Sequence, residues 1–98
     1  MARFDICRTD GGALVLDVQT NLISSLTSRL VIPLIAEISA PTPIKRLHPR
    51  LVIDGENYIL ATHLMAAVPI RVLGRPVGDS LENYDAIVAA IDMIFLGF

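Results

Sequence analysis

Apolar and polar positions alternate with a period of two through the first part of the chain. Phe4 and Ile6 interleave with Arg3 and Asp5, and Thr9-Asp10-Gly11-Gly12 reads as a turn. Over residues 13–19, Leu14, Leu16 and Val18 fall on one face and Val15, Asp17 and Gln19 on the other. This predicts a strand whose second face meets solvent. A loop follows, with Leu22, Ile23 and Leu26 set among Ser24, Ser25, Thr27 and Ser28. Residues 29–36 are dense in β-branched and apolar side chains, as expected of a strand covered on both faces. Pro33 cannot donate to a ladder and is expected at an edge or a bulge. A connection containing Pro41, Pro43 and Pro49 leads to a hairpin, in which residues 51–53 and 58–60 flank Asp54-Gly55-Glu56-Asn57. Residues 70–73 read as a short strand closed by a turn over residues 74–78.

The period changes in the last twenty positions. Asp79 precedes Glu82 by three residues, the spacing of an N-cap with a reciprocal acid. Leu81, Tyr84, Val88, Ile91, Phe95 and Phe98 then recur at steps of three and four, with Ile87 and Ile94 widening the stripe. An amphipathic helix is predicted, with this stripe in the core. Strands followed by one terminal helix give a single domain over residues 1–98 of mostly-β or α+β class.

Composition narrows the function classes. The 98 residues are 53% hydrophobic with a mean hydropathy of +0.60. So short a chain has a large surface relative to its core, so excess apolar surface predicts self-association. The longest apolar run, residues 30–36, contains Pro33 and is too short to span a bilayer. No signal peptide is read at the N-terminus, and Cys7 as the only cysteine suits a reducing cytoplasm. The net charge is −2, and its eight basic residues form no block, which disfavours direct nucleic-acid binding.

Candidate chemistry is sparse. His48 and His63 have no second His or Cys at ligand spacing, so no metal or other cofactor is expected. The loop hydroxyls lie outside any nucleophile elbow, and residues 74–78 lack a phosphate loop's lysine. No catalytic residue is assigned. The terminal helix is more informative. At 100° per residue, Asp85, Asp92 and Leu96 fall on nearly one line, so apolar Leu96 points where the polar residues point. Leu96, Gly97 and Phe98 can form a contact patch, or Phe98 can fold back into the core. Asp92, near the negative end of the helix dipole, costs about 0.3–1 kcal/mol unless an arginine approaches.

Several segments resemble the CcdB toxins. They are Leu16-Asp17-Val18-Gln19 with Leu22-Ile23, Ser28-Arg29-Leu30-Val31-Ile32-Pro33-Leu34, Leu47-His48-Pro49, Met65-Ala66-Ala67-Val68-Pro69-Ile70 and Phe95-Leu96-Gly97-Phe98. The resemblance implies an SH3-like β barrel with a small extra antiparallel sheet and a C-terminal helix. It implies a non-enzymatic toxin of a type II toxin–antitoxin system that, as a homodimer, poisons the A subunit of DNA gyrase. It further implies a CcdA-like antitoxin, which binds operator DNA for the pair in autorepression. Carried over residue by residue, the target contacts are Asp92, Leu96, Gly97 and Phe98. The antitoxin contacts are Leu22, Ile23, Asp92 and Leu96, and the dimer interface is Met65, Ala66, Val68, Pro69 and Phe98. Leu96 stands where the family has a tryptophan that stacks on a gyrase arginine, and Asp92 where it often has Asn. Two alternatives follow: a degenerate or retargeted protein kept as an antitoxin-binding corepressor, and an RNA-cleaving toxin like Kid and MazF.

Overall fold

The computed structural model describes residues 2–23 and 25–97; Ser24 of the loop and Phe98 of the tail lie outside the described residues. Among the described residues are seven strands: β1 (Asp5–Thr9), β2 (Leu14–Asp17), β3 (Ser28–Ala36), β4 (Arg50–Ile53), β5 (Glu56–Leu60), β6 (Ala66–Pro69) and β7 (Leu73–Asp79). One helix, α1 (Tyr84–Leu96), follows them. All pairings are antiparallel, in the order β4-β5-β3-β2-β1-β7, and the sheet curls as a half-barrel. The fold is the mostly-β, α+β architecture with a terminal helix that the sequence predicts.

The sheet branches at β3. Its first half pairs with β6, from Ser28↔Pro69 to Val31↔Ala66, and its last residues pair with β5, from Leu34↔Leu60 to Ala36↔Tyr58. The β4–β5 hairpin therefore continues from the same strand. Pro33 sits at the switch, in a central strand rather than at the expected edge or bulge. The Ala61 amide donates to its carbonyl at 2.9 Å. A residue's N–H and C=O point to the same side of a strand, so the donor that proline lacks would have faced the gap between β5 and β6.

The main core lies on one sheet face. Phe4, Ile6, Leu14, Leu16, Val18, Ile32, Leu34, Leu51, Leu60 and Ile87 form it. Cys7, Val15 and Val31 form a second cluster on the other face. The predicted Leu14-Leu16-Val18 face is thus in the core, but its reverse face is not solvent-exposed. Asp17 is 0% exposed and Gln19 is buried beside it.

Four local expectations are corrected. The hairpin closes through Asp54 and Gly55 alone, both at positive φ (51° and 80°), so Glu56 and Asn57 belong to β5. Two left-handed residues match the strands' twist. Residues 74–78 are strand rather than turn, because β7 lies along β1 with irregular register and only β1 as neighbour. That edge position tolerates Pro76. Residues 70–72 form a 3-10 turn instead of a strand. Asp79 ends β7 and accepts a bond from the Leu81 amide, so α1 begins one 3-10 turn later than the capping pattern suggests.

Candidate functional site

The end of α1 is positioned by the face it buries. Ile87 and Ala90 are fully buried and Val88 and Ile91 pack against the core, while Ile94 is exposed. Ile87, Val88 and Ile91 belong to the predicted stripe, but the fully buried pair, Ile87 and Ala90, lies roughly 100° from the mean direction of Leu81, Tyr84, Val88, Ile91, Phe95 and Phe98. Consequently Leu81, Tyr84 and Phe95, all expected inside, are 59%, 47% and 67% exposed. The stripe misled because α1 is apolar over most of its circumference, so spacing alone does not say which apolar line the sheet covers.

Leu96 follows Ile87 by nine residues, about 180° around the helix. It is 60% exposed, as its alignment with Asp85 and Asp92 predicts. Asp92 is exposed, and among the described residues no ion pair involves it. Gly97 ends the helix at φ 81°, with its amide donating to the Met93 carbonyl at 3.0 Å. This is a left-handed cap, and glycine adopts it at no steric cost. A Cβ at Gly97 would meet nothing within 4 Å. The patch therefore comprises Asp92, Phe95, Leu96 and Gly97. Phe95 is the member sequence reasoning missed; its place in the predicted core stripe concealed it.

Leu22 and Ile23 occupy a 3-10 turn, Asn21–Ile23, and both are exposed, Leu22 by 93%. A buried polar trio holds that turn out. Arg29 donates to Asp17 from Nε to Oδ2 (2.8 Å) and from Nη2 to Oδ1 (3.0 Å). Gln19 donates from Nε2 to the Ile23 carbonyl (3.2 Å) and accepts from the Leu30 amide (3.1 Å). The Arg3 amide donates to Asn21 Oδ1 (2.9 Å). Asp17, Gln19 and Arg29 are thus a buried support for the turn. The fork of Arg29 satisfies both carboxylate oxygens, which makes burial of the two charges tolerable.

Of the dimer residues named from the sequence, Met65 leads into β6, Ala66, Val68 and Pro69 lie on it, and Phe98 is outside the described residues. Ala66 and Pro69 are exposed, Val68 is half-buried against the second cluster, and Met65 packs partly on the main core. β6 pairs with β3 on one side only. The two histidines, separate in sequence, do meet: His48 Nε2 lies 2.8 Å from His63 Nδ1. Among the described residues no group of three or more metal-ligating side chains occurs, and no helix is long and apolar enough to cross a membrane. Compared with known protein families, residues 3–97 match the family described as CcdB protein.

Proposed function

Because the chain belongs to the CcdB family, a family of gyrase-directed toxins rather than of enzymes, we propose that it is the toxin of a type II toxin–antitoxin pair that binds the A subunit of DNA gyrase as a homodimer. The observation that carries this reading is the exposed end of α1, where Asp92, Phe95, Leu96 and Gly97 stand clear of the core. Asp92 there suits an arginine of the target, since a charge-assisted pair at an interface is strong once desolvated. Phe95 offers an aromatic face one residue before the position where the resemblance places tryptophan, and an arginine can stack on it. Phe98 would extend this patch and the dimer contact. The open side of β6 with Met65, Ala66, Val68 and Pro69 is the self-complementary surface of the homodimer. A CcdA-like antitoxin covers Leu22, Ile23, Asp92 and Leu96, so neutralisation and target binding compete. Operator DNA is reached through that antitoxin. Gyrase acts in the cytoplasm, and so does this toxin.

Leucine at position 96 favours a second reading, a retargeted CcdB-fold protein retained as an antitoxin-binding corepressor. The RNA-cleaving alternative has less support, since Arg29 is buried in an ion pair and unavailable to a substrate. A single experiment separates the first two. Gly97→Glu places charge where the surroundings are open, at the cost of strain from a positive φ. Induced expression of the variant should no longer arrest growth or capture gyrase, while the purified protein stays folded by circular dichroism. Growth arrest by the parent chain without gyrase capture would favour retargeting, and no arrest at all would favour the corepressor.

A further inference from the structure

The connection between β3 and β4 is fastened at its far end by the two histidines. The Ile44 amide donates to His48 Nδ1 at 2.8 Å, and the His48 amide donates back to the Ile44 carbonyl at 2.9 Å. His48 Nδ1 therefore carries a lone pair. A neutral imidazole has one N–H, so the proton resides on Nε2. That Nε2–H faces His63 Nδ1 at 2.8 Å and donates to it, with the rings edge to face at 4.8 Å. His63 belongs to the 3-10 turn Thr62–Leu64, which leads into β6. One relay of two bonds thus ties residues 44–48 to the segment entering β6, and it requires both rings neutral.

We infer that His48 and His63 form a proton-operated latch that fastens this connection at neutral pH and releases it in acid. A proton on His48 Nδ1 displaces the Ile44 amide. A proton on His63 Nδ1 meets the His48 N–H head-on. Either addition breaks one of the two bonds. The charged residues on the surrounding elements are Lys45 and Arg46 on the same turn, and Arg50 on β4, paired with Glu37 at 2.6 Å. Arg29 of β3 is paired with Asp17, and α1 carries Asp85 and Asp92. Burial first and then the neighbouring His63 push His48 below its ordinary 6.5. The sign follows: the folded state binds fewer protons than the unfolded one, so the latch is complete above about 6.5. Its contribution falls as pH drops below that value toward the lowered folded value. The Glu37–Arg50 pair at the near end of the connection is not part of the relay, so release is confined to residues 44–48 and the His63 turn.

The same geometry argues against chelation of a metal ion. An ion between the rings needs lone pairs on His48 Nε2 and His63 Nδ1. The His48 proton would then move to Nδ1 and expel the Ile44 amide. Nuclear magnetic resonance on the full chain, with nitrogen-15 in the imidazoles, tests the inference. At pH 7.5 His48 should carry its proton on Nε2. The protection factor of the Ile44 amide should then hold to about pH 6.5 and fall from there to pH 5.5, by up to about tenfold per unit. His63→Ala should raise the His48 titration toward the ordinary value while leaving Ile44 protected at pH 7.5. A proton on His48 Nδ1 at pH 7.5, or an Ile44 protection factor unchanged down to pH 5.5, would overturn the latch. So would micromolar zinc shifting both ring signals at pH 7.5.

Discussion

Arg29 and Asp17 are the two charges the molecule cannot expose without losing the turn that carries Leu22 and Ile23. Both are essentially inaccessible, and each is the other's only counter-ion in the described structure. Asp17→Ala leaves a buried guanidinium unpaired and should cost about 3–5 kcal/mol in urea unfolding. Asp17→Asn, which keeps the shape and one acceptor, should cost less. Cys7 gives a separate check on burial. The thiol is fully covered, and burial foremost, with Asp5 and Asp17 adding to it, raises its titration above the ordinary 9.0. Alkylation of native protein at pH 8 should therefore be slow and should accelerate in denaturant. Alternation placed Leu14, Leu16 and Val18 correctly. The same alternation sent Asp17 and Gln19 to solvent, because the residue that neutralises Asp17 lies twelve positions on and nothing local announces it.

The terminal helix shows at the scale of an element how far spacing can be trusted. Its existence was legible from steps of three and four, as was the outward position of Leu96, but its start was not, since a 3-10 turn over residues 81–83 precedes it. Which apolar line faces the sheet was not, since Ile87 and Ile94 compete with Tyr84, Val88 and Phe95 on nearly equal terms. The structure gives Ile87 and Leu96 opposite expectations. Ile87→Ala removes a fully buried side chain and should cost about 2–5 kcal/mol. Leu96→Asp, on the opposite side, should leave the thermal midpoint within a few degrees while weakening any target contact. Measured by calorimetry and by a binding assay, the pair separates the fold from the patch. The Asp54-Gly55 turn was readable in kind but not in length, because glutamate and asparagine after a glycine look like loop until the two positive φ values are known.

Over the whole molecule, the excess of apolar surface noted in the composition is distributed rather than pooled. Leu22, Ile38, Leu81, Phe95 and Leu96 are all more than half exposed, and they come from four separate segments. A homodimer built on β6 should sediment at twice the mass of the chain at micromolar concentration, and Val68→Arg should shift it toward the monomer. Residues 65–70 stood out in the sequence through their likeness to a family segment but were not read as a strand, since four residues with Pro69 at the end carry almost no periodic signal.

The branching of the sheet at β3 also sets the order in which the chain can become structured. The β2–β3 pairing joins residues close in sequence, but the first half of β3 waits for β6, about forty positions later. The edge partner of β1 lies farther still, with Asp5 meeting Asp79. Loop closures of that span are slow relative to hairpins. During synthesis the central strand must therefore remain with one side open until residue 69 has emerged, and the N-terminal strand until residue 79. In pulse-labelled hydrogen exchange during refolding, amides in the β4–β5 hairpin should become protected first and those bridging β1 and β7 last.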